Sequence, residues 1–216
     1  MRVKKSKRED VFCQRRTMVV LLAGDKHHER KVRKTMRKVV GYLLTSLDGV
    51  VEAGDWIELF DEDMYEFMVE VINAQDAVLL GRVTYQEWAA YWPTAPDEHA
   101  FARFINSVPK YVVSTTLNSI EDWQPATLIK GDISQTIAQL QQQPGKNIGA
   151  HGSLTLVRSL LEQDLLDELI VVVFPLLLGG GRRLLHEGDR LKRLHLVSTK
   201  STRTGGVLLT YQLARP

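Results

Sequence analysis

The sequence predicts an α/β domain with a mostly parallel central sheet, flanked by helices and finished by a C-terminal antiparallel hairpin. From Met36 onward, short apolar stretches typical of strands alternate with amphipathic stretches typical of helices. Such alternation favours parallel strands with helices on both faces of the sheet. The last two strand-like stretches are instead joined by Gly205 and Gly206, a pair suited to a turn that needs positive φ.

Each element is predicted from its local pattern. The first long helix places Met64, Met68 and Val71 on one face, and the apolar run 169–174 is typical of a buried strand. In chain order the predicted strands cover 38–45, 77–80, 110–114, 127–130, 147–150, 169–174, 191–202 and 207–213, and the predicted helices cover 61–75, 84–91, 97–106, 133–142 and 153–161.

The chain divides by composition into a short extension and one domain. Residues 1–35 carry a dense cluster of Lys and Arg and show no apolar periodicity after Ala23, so we expect a disordered basic N-terminal extension. Residues 36–216 are net acidic and are long enough for a single α/β domain.

Composition excludes several classes of function. The body lacks the basic surface that nucleic acid needs, so we expect no nucleic-acid partner. Cys13 is the only cysteine and the six histidines are scattered, so we expect neither a disulfide nor a metal site. The apolar patch 18–24 is too short for a membrane span and is followed by charged residues rather than a cleavage site. We therefore expect a cytoplasmic protein without a membrane partner.

The most informative motif is Gly-Arg-Val-Thr-Tyr at 81–85, which follows an apolar strand and opens a helix. Gly81 lets a ligand approach the backbone, and Arg82 can clamp a phosphate through two hydrogen bonds. The helix is expected to begin at Thr84 as its capping residue, where first-turn N–H groups and the helix dipole favour an anion. This motif therefore predicts a site for a nucleotide cofactor.

Four further segments leave predicted strands at their carboxyl ends, where open α/β sheets bind ligands. Hydroxyl groups can bind phosphate or ribose, and glycine-rich backbone allows a flat ring to approach. The segments are Thr45-Ser46-Leu47-Asp48-Gly49, Ser114-Thr115-Thr116, Gly149-Ala150-His151-Gly152-Ser153 and the glycine-rich stretch 175–181.

Together these motifs resemble the dihydrofolate reductase-like superfamily, and within it the riboflavin-biosynthesis reductase group, the C-terminal domain of bifunctional deaminase-reductases. The resemblance extends from Met36 to about Leu213. It implies a dihydrofolate reductase-like fold for residues 36–216. The motifs that carry it are Ser46-Leu47-Asp48-Gly49, Gly81-Arg82-Val83-Thr84-Tyr85, Val112-Val113-Ser114, Gly152-Ser153, and Leu166-Asp167-Glu168-Leu169 followed by Pro175 and Leu178-Gly179.

The resemblance implies NADPH as the cofactor. Gly81, Arg82 and Thr84 would hold its 2′-phosphate and pyrophosphate side, and the hydroxyl run 114–116 its adenosine end. Gly152-Ser153 occupies the paired-glycine position at which this superfamily has a cis peptide. The expected cofactor-binding residues are Gly81, Arg82, Thr84, Ser114, Thr115, Thr116, Gly152, Ser153, Leu178, Gly179 and Gly180.

Three residues are candidates for the substrate side. Trp56 matches a tryptophan that lies beside the cofactor in the riboflavin reductases, although it could equally be a partly buried core tryptophan. Ser46 and Asp48 would orient the substrate, with Asp48 as the catalytic candidate in a proton relay. The alternative for Asp48 is an Asx-type turn with Gly49 at positive φ.

The chain departs from the riboflavin reductases in one motif. It has Gln86-Glu87-Trp88-Ala89-Ala90-Tyr91-Trp92-Pro93 where those enzymes have an Asp-Asp-Pro run and a substrate-binding arginine, which puts a ribose-phosphate substrate in doubt. We predict an NADPH-dependent reductase that transfers hydride to a small heterocycle, most like 5-amino-6-(5-phosphoribosylamino)uracil reductase. The alternatives are dihydrofolate reductase activity and a non-catalytic NADP(H)-binding module.

The C-terminal strands predict a homodimer. The runs 169–174 and 207–211 are apolar on both alternating faces, and an exposed apolar sheet edge is usually covered or paired. A two-fold pair is the commonest way to cover such a surface, and the resemblance implies it too.

Overall fold

A computed structural model of the chain describes residues 36–51, 58–120, 122–186 and 188–214. These residues follow the predicted alternation of strands and helices. In chain order they form β1 (Val39–Ser46), α1 (Glu62–Asn73), β2 (Gln75–Gly81), α2 (Arg82–Tyr91), a 3-10 helix (Trp92–Thr94), α3 (Ala100–Ser107), β3 (Lys110–Val113), β4 (Ala126–Ile129), α4 (Ile133–Gln142), β5 (Asn147–Ala150), α5 (Leu154–Glu162), β6 (Glu168–Phe174), β7 (Leu194–Ser201) and β8 (Val207–Leu213).

The described strands form one eight-stranded sheet in the order β4-β3-β2-β5-β1-β6-β8-β7. The strands from β4 to β6 in this order are parallel to one another. β8 is antiparallel to both β6 and β7, so the sheet finishes in a hairpin whose outer strand, β7, is an edge. The structure confirms the predicted α/β class, a mostly parallel sheet flanked by helices with an antiparallel hairpin at its C-terminal end.

Helices cover both faces of the sheet and bury most of its apolar side chains. On one face, α4 and α5 pack Ile137 and Leu160 against strand residues that include Leu79. On the other face, α1, α2 and α3 bury Met68, Tyr85 and Phe101 among others. Burial on both faces explains why β2 is apolar almost throughout, as expected for a central parallel strand.

The turn of the C-terminal hairpin is attached to the first turn of α1. The backbone N–H of Arg203 donates to Asp63 Oδ2 at 2.8 Å, and Thr204 Oγ1 donates to Asp61 Oδ2 at 2.5 Å. Asp61 is also the N-cap of α1, where Oδ1 accepts from Met64 N at 2.8 Å. The acidic first turn of α1 therefore holds the hairpin in place as well as complementing the helix dipole.

The start of α2 differs from the prediction. The expected capping role of Thr84 is wrong, because the helix begins at Arg82 and its N-cap is Gly81. Gly81 has extended dihedrals, φ −77° and ψ 161°, so β2 passes directly into α2 without a separate loop. Thr84 lies in the first helical turn instead. β7 is also shorter than the predicted 191–202.

The expected disordered extension at 1–35 lies outside the described residues. Within the described part, no helix is long and apolar enough to cross a membrane.

Candidate functional site

The carboxyl edge of the sheet contains a notch, because the strand between β1 and β2 is short. β5 ends at Ala150, which pairs with Gly41 of β1 on one side and with Leu79 of β2 on the other. β1 continues for five more residues to Ser46, and β2 for two more to Gly81. The space beyond Ala150 is a crevice at the carboxyl ends of parallel strands, the usual ligand site of open α/β sheets.

The floor of the notch is built from two of the predicted glycine motifs in direct contact. Gly81 N donates to Gly152 O at 3.1 Å, and a Cβ built on Gly81 would lie 3.1 Å from Ser153 N and collide with the Ser153 side chain. Gly152 has φ 132°, which favours glycine, and a Cβ there would lie 3.2 Å from Thr84 Oγ1. The Gly152-Ser153 peptide is cis. The structure therefore brings Gly81, Thr84, Gly152 and Ser153 together.

Two helices begin at this floor. α2 starts at Arg82, and α5 starts after Ser153, whose Oγ accepts from Leu156 N at 3.4 Å as the N-cap. Both N-termini carry first-turn N–H groups that have no partner within the helix and a partial positive charge, a combination that favours an anion. Arg82 is exposed, and its Nη1 donates to Gln86 Oε1 at 3.0 Å, one turn further along α2. The floor thus combines close backbone approach with three sources of positive potential.

The hydroxyl run at the end of β3 lies beside this floor, since Val113 pairs with Gly81 in the sheet. Ser114 is buried, and its Oγ accepts from the N–H groups of Thr116 and Leu117 at 3.1 and 3.0 Å. Ser114 therefore shapes the turn. Thr115 and Thr116 are exposed, so they are the members of the run with surface available to a ligand.

Asp48 lies on the other side of the notch, in the turn that follows β1. Its Oδ1 accepts from Ser46 Oγ at 2.6 Å and from Leu178 N at 3.1 Å, and its Oδ2 accepts from Gly179 N at 2.9 Å. Arg183 Nη2 is 3.3 Å from the same Oδ2. The hydrogen bond from Ser46 has the largest effect on the pKa of Asp48. Together with the hydrogen bonds from Leu178 and Gly179, it lowers this pKa from 3.8 to about 2. Near neutral pH the carboxylate is ionised and can only accept hydrogen bonds.

The glycine-rich segment after β6 is attached to that turn through Asp48. The N–H groups of Leu178 and Gly179 are used by the carboxylate, and Gly180 N donates to Leu178 O at 2.9 Å. The expected cofactor contacts of Leu178, Gly179 and Gly180 remain predictions. The expected wall residue Trp56 lies outside the described residues.

Two further residues follow the end of the β1–β5 pairing: Tyr42, which no predicted motif includes, and His151, which belongs to the predicted segment 149–153. Beyond the Gly41–Ala150 pair the next neighbours on β1 and past β5 are Tyr42 and His151, whose ring centroids are 5.7 Å apart. His151 Nε2 is 2.7 Å from Gln75 Oε1. Tyr42 Oη is buried and has no hydrogen-bond partner. Burial raises the pKa of Tyr42 and lowers that of His151 from 6.5 to about 4, so both groups are neutral near pH 7.

A run of aromatic rings, here called the aromatic wall, extends from this pair along α3 to the 3-10 helix. Phe101 lies 5.7 Å from His151 and 4.9 Å from Trp92, between ring centroids. Trp92 Nε1 is buried and, like Tyr42 Oη, has no hydrogen-bond partner. The aromatic wall consists of Tyr42, His151, Phe101 and Trp92. The described residues contain no group of three or more His, Cys, Asp or Glu side chains that could hold a metal ion.

The strand order, the antiparallel hairpin and the notch beyond β5 define the dihydrofolate reductase-like class of α/β proteins. The chain belongs to the RibD C-terminal domain family, whose model matches residues 37–209.

The chain is similar to several known proteins. YwjB of Bacillus subtilis is 32% identical over 168 residues, which cover 76% of this chain and 91% of YwjB. A putative riboflavin biosynthesis protein from Shewanella has a similar structure, with a TM-score of 0.67, 23% identity, and coverage of 82% of this chain and 99% of that one. A dihydrofolate reductase from Enterococcus faecalis, solved with NADP(H), gives a TM-score of 0.55 at 11% identity, covering 82% of this chain and 97% of that one. These likenesses establish the shared fold.

Proposed function

We propose that the chain is an NADPH-dependent reductase that transfers hydride to a small heterocyclic substrate, most like 5-amino-6-(5-phosphoribosylamino)uracil reductase of riboflavin biosynthesis. Membership of the RibD C-terminal domain family supports an oxidoreductase of this kind. The single observation that carries the proposal is the packing of Gly81 against Gly152 and Ser153, which brings two helix N-termini to the floor of one notch.

The residues present fit a cofactor that carries phosphate groups. Because Gly81 and Gly152 have no Cβ, the segments that contain them can pack together and bring the starts of α2 and α5 close to each other, so a pyrophosphate could be bound by the first-turn N–H groups of both helices. The exposed guanidinium of Arg82 would take the 2′-phosphate, and the hydroxyls of Thr115 and Thr116 would face the adenosine. When bound, NADPH supplies the hydride.

On the substrate side, the chain's own residues serve to position rather than to donate protons. The ionised Asp48 holds the turn after β1 against the segment that contains Leu178 and Gly179. This arrangement would fix one wall of the notch. We therefore propose that Asp48, together with Ser46, orients the substrate by fixing the conformation of this turn.

The proposal is tested by titrating the purified protein with NADPH and with NADH while following tryptophan fluorescence. We expect saturable binding of NADPH that is tighter than that of NADH. Adding the pyrimidine ribosylamine substrate or dihydrofolate, and following the loss of NADPH absorbance, then distinguishes the two named reductase activities. Failure to bind NADPH would contradict the proposal. Binding without turnover of any heterocycle would leave a binding module instead of an enzyme.

A further inference from the structure

Two segments at the carboxyl edge of the sheet are joined to each other at both ends. β1 and β6 are adjacent parallel strands, so the turn 46–51 that follows β1 and the loop 176–183 that follows β6 leave the sheet side by side. Two backbone hydrogen bonds join them, Leu47 N to Leu176 O at 2.9 Å and Val51 N to Arg182 O at 2.8 Å. These two segments are here called the double loop.

Between these ends, the side chains of Asp48 and Arg183 connect the two segments. The Asp48 carboxylate accepts from the N–H groups of Leu178 and Gly179 at 3.1 and 2.9 Å. Arg183 binds in the reverse direction. Its Nε donates to Asp48 O at 3.1 Å, and its Nη2 lies 3.3 Å from Asp48 Oδ2 and 3.4 Å from Gly179 O. One guanidinium thus binds three acceptors, two on the turn and one on the loop.

This arrangement depends on the shape of the guanidinium. Its N–H groups form a rigid planar fork, so Nε and Nη2 of Arg183 reach the carbonyl oxygen and a carboxylate oxygen of Asp48 at the same time. A lysine ammonium is a compact charge on a flexible stem and has no such fork. Lysine at this position would therefore keep the positive charge and lose the geometry.

Neither the charge of Asp48 nor the stability of the fold explains the contacts of Arg183. The hydrogen bonds from Ser46, Leu178 and Gly179 already lower the pKa of Asp48, so the carboxylate is ionised without help from the guanidinium. The Arg183 side chain is 42% exposed, and ion pairs that are open to water add little to stability. What the contacts restrict is the conformation of the double loop around Asp48.

We propose that Arg183 is a positioning residue of the reductase site, which acts through Asp48 by holding the turn after β1 in the conformation that orients the substrate. This inference deepens the proposed function and rests on it for the role of Asp48. Its own content is that the orientation depends on a side chain 135 positions further along the chain. None of the contacts of Arg183 described above involves the glycine floor, so its loss should slow turnover and leave the affinity for NADPH unchanged.

The test compares Arg183→Gln and Arg183→Lys with Arg158→Gln as a matched control. Arg158 Nη2 donates to Asp189 at 2.6 Å in a later part of the β6–β7 connection, outside the double loop. The first readout is the NMR chemical shifts of the Leu178 and Gly179 amide protons, which report their hydrogen bonds to the carboxylate. Both should move upfield in the two Arg183 variants and match the wild type in Arg158→Gln. The melting temperature of Arg183→Gln should fall by no more than about 4 °C.

The second readout is the oxidation of NADPH with the pyrimidine ribosylamine or dihydrofolate, whichever the wild type reduces. In both Arg183 variants kcat should fall about tenfold with the KM for NADPH unchanged, whereas Arg158→Gln should keep the wild-type kcat. Unchanged amide shifts, turnover equal to the wild type, or restoration of either by Arg183→Lys would overturn the inference. A wild type that reduces neither compound would instead contradict the proposed function, and the amide shifts would still decide whether Arg183 positions Asp48.

Discussion

Arg183 and Asp48 join two segments that are far apart in the sequence. Arg183 Nε donates to the backbone carbonyl oxygen of Asp48 at 3.1 Å, and Nη2 approaches its Oδ2 at 3.3 Å. The Asp48 carboxylate also accepts two backbone N–H groups from the glycine-rich segment. One side chain therefore holds the turn after β1 and the loop after β6 together, and its charge state should matter for stability.

We first predict that Asp48→Asn lowers stability near neutral pH and flattens its dependence on acid pH. The pKa of Asp48 is lowered from 3.8 to about 2 in the folded protein, so its contribution is complete above about pH 4 and is lost as the pH falls toward 2. Urea unfolding at a series of pH values should show this difference between wild type and variant. Asn substitution of the exposed Asp97 is the control, and an Asp48→Asn curve parallel to the wild type would contradict the prediction.

A second prediction concerns the contact between β2 and the start of α5. Gly81→Ala should destabilise the fold by about 1–3 kcal/mol and weaken NADPH, because the new methyl group would collide with Ser153. Gly180→Ala is the control for stability, since a Cβ there meets nothing within 4 Å. Chemical denaturation and NADPH titration measure the two effects. A Gly81→Ala protein as stable as Gly180→Ala would show that the floor is not tightly packed.

The third prediction separates the two nicotinamide cofactors. Arg82→Ala should weaken NADPH by about 1.5–3 kcal/mol and leave NADH nearly unchanged, because only NADPH offers a 2′-phosphate to the guanidinium. Arg193→Ala, at the opposite edge of the sheet, should alter neither affinity. Fluorescence titration of both cofactors provides the comparison. Equal losses for NADPH and NADH would assign Arg82 a different role.

The fourth prediction follows from the buried imidazole. Burial lowers the pKa of His151 from 6.5 to about 4, so the unfolded chain takes up a proton between these values while the folded protein does not. The contribution of His151 to stability should therefore be complete above about pH 6.5 and fall as the pH drops toward 4, by roughly 3 kcal/mol. His151→Gln should remove this part of the pH dependence, whereas substitution of the exposed His195 should retain it. Identical unfolding profiles for the two variants between pH 7 and 4 would refute it.

The fifth prediction is a homodimer, which we propose to form through the edge strand β7. All eight residues of β7 are exposed, and Leu194 and Leu196 extend one apolar face of the hairpin beside Tyr211. Leu196→Glu should give a monomer by light scattering at micromolar concentration, because a second copy would bury this face. Ser198→Glu, on the other face of the strand, should remain dimeric. A monomeric wild type would end the proposal.

Much of the fold could be predicted because apolar periodicity follows the burial of each strand and helix. The bounds 133–142, 147–150 and 207–213 agree with those of α4, β5 and β8. The start of α2 was misplaced, because Thr84 has the composition of a cap while the geometry of Gly81 decides where the helix begins. Local sequence cannot show which of two adjacent candidates takes that position.

The candidate site was predictable only in part. Glycine motifs at strand ends identified the floor, since Gly81 and Gly152 each follow an apolar strand. The partners of Asp48 could not be found from the sequence, because Leu178 and Arg183 lie 130 and 135 positions away and contact it only through the folded loop. The unpaired hydroxyl of Tyr42 could not be predicted, because a tyrosine in an apolar strand has the pattern of an ordinary core residue.

The shortness of β5 also divides the sheet unequally. β1 pairs with β6 over seven register positions but with β5 over only three, Val39 to Gly41. The sheet therefore has its narrowest seam between β5 and β1, with β2, β3, β4 and β5 on one side and β1, β6, β8 and β7 on the other. A ligand that fills the crevice would bridge these two parts of the sheet at the point where the backbone pairing between them has ended.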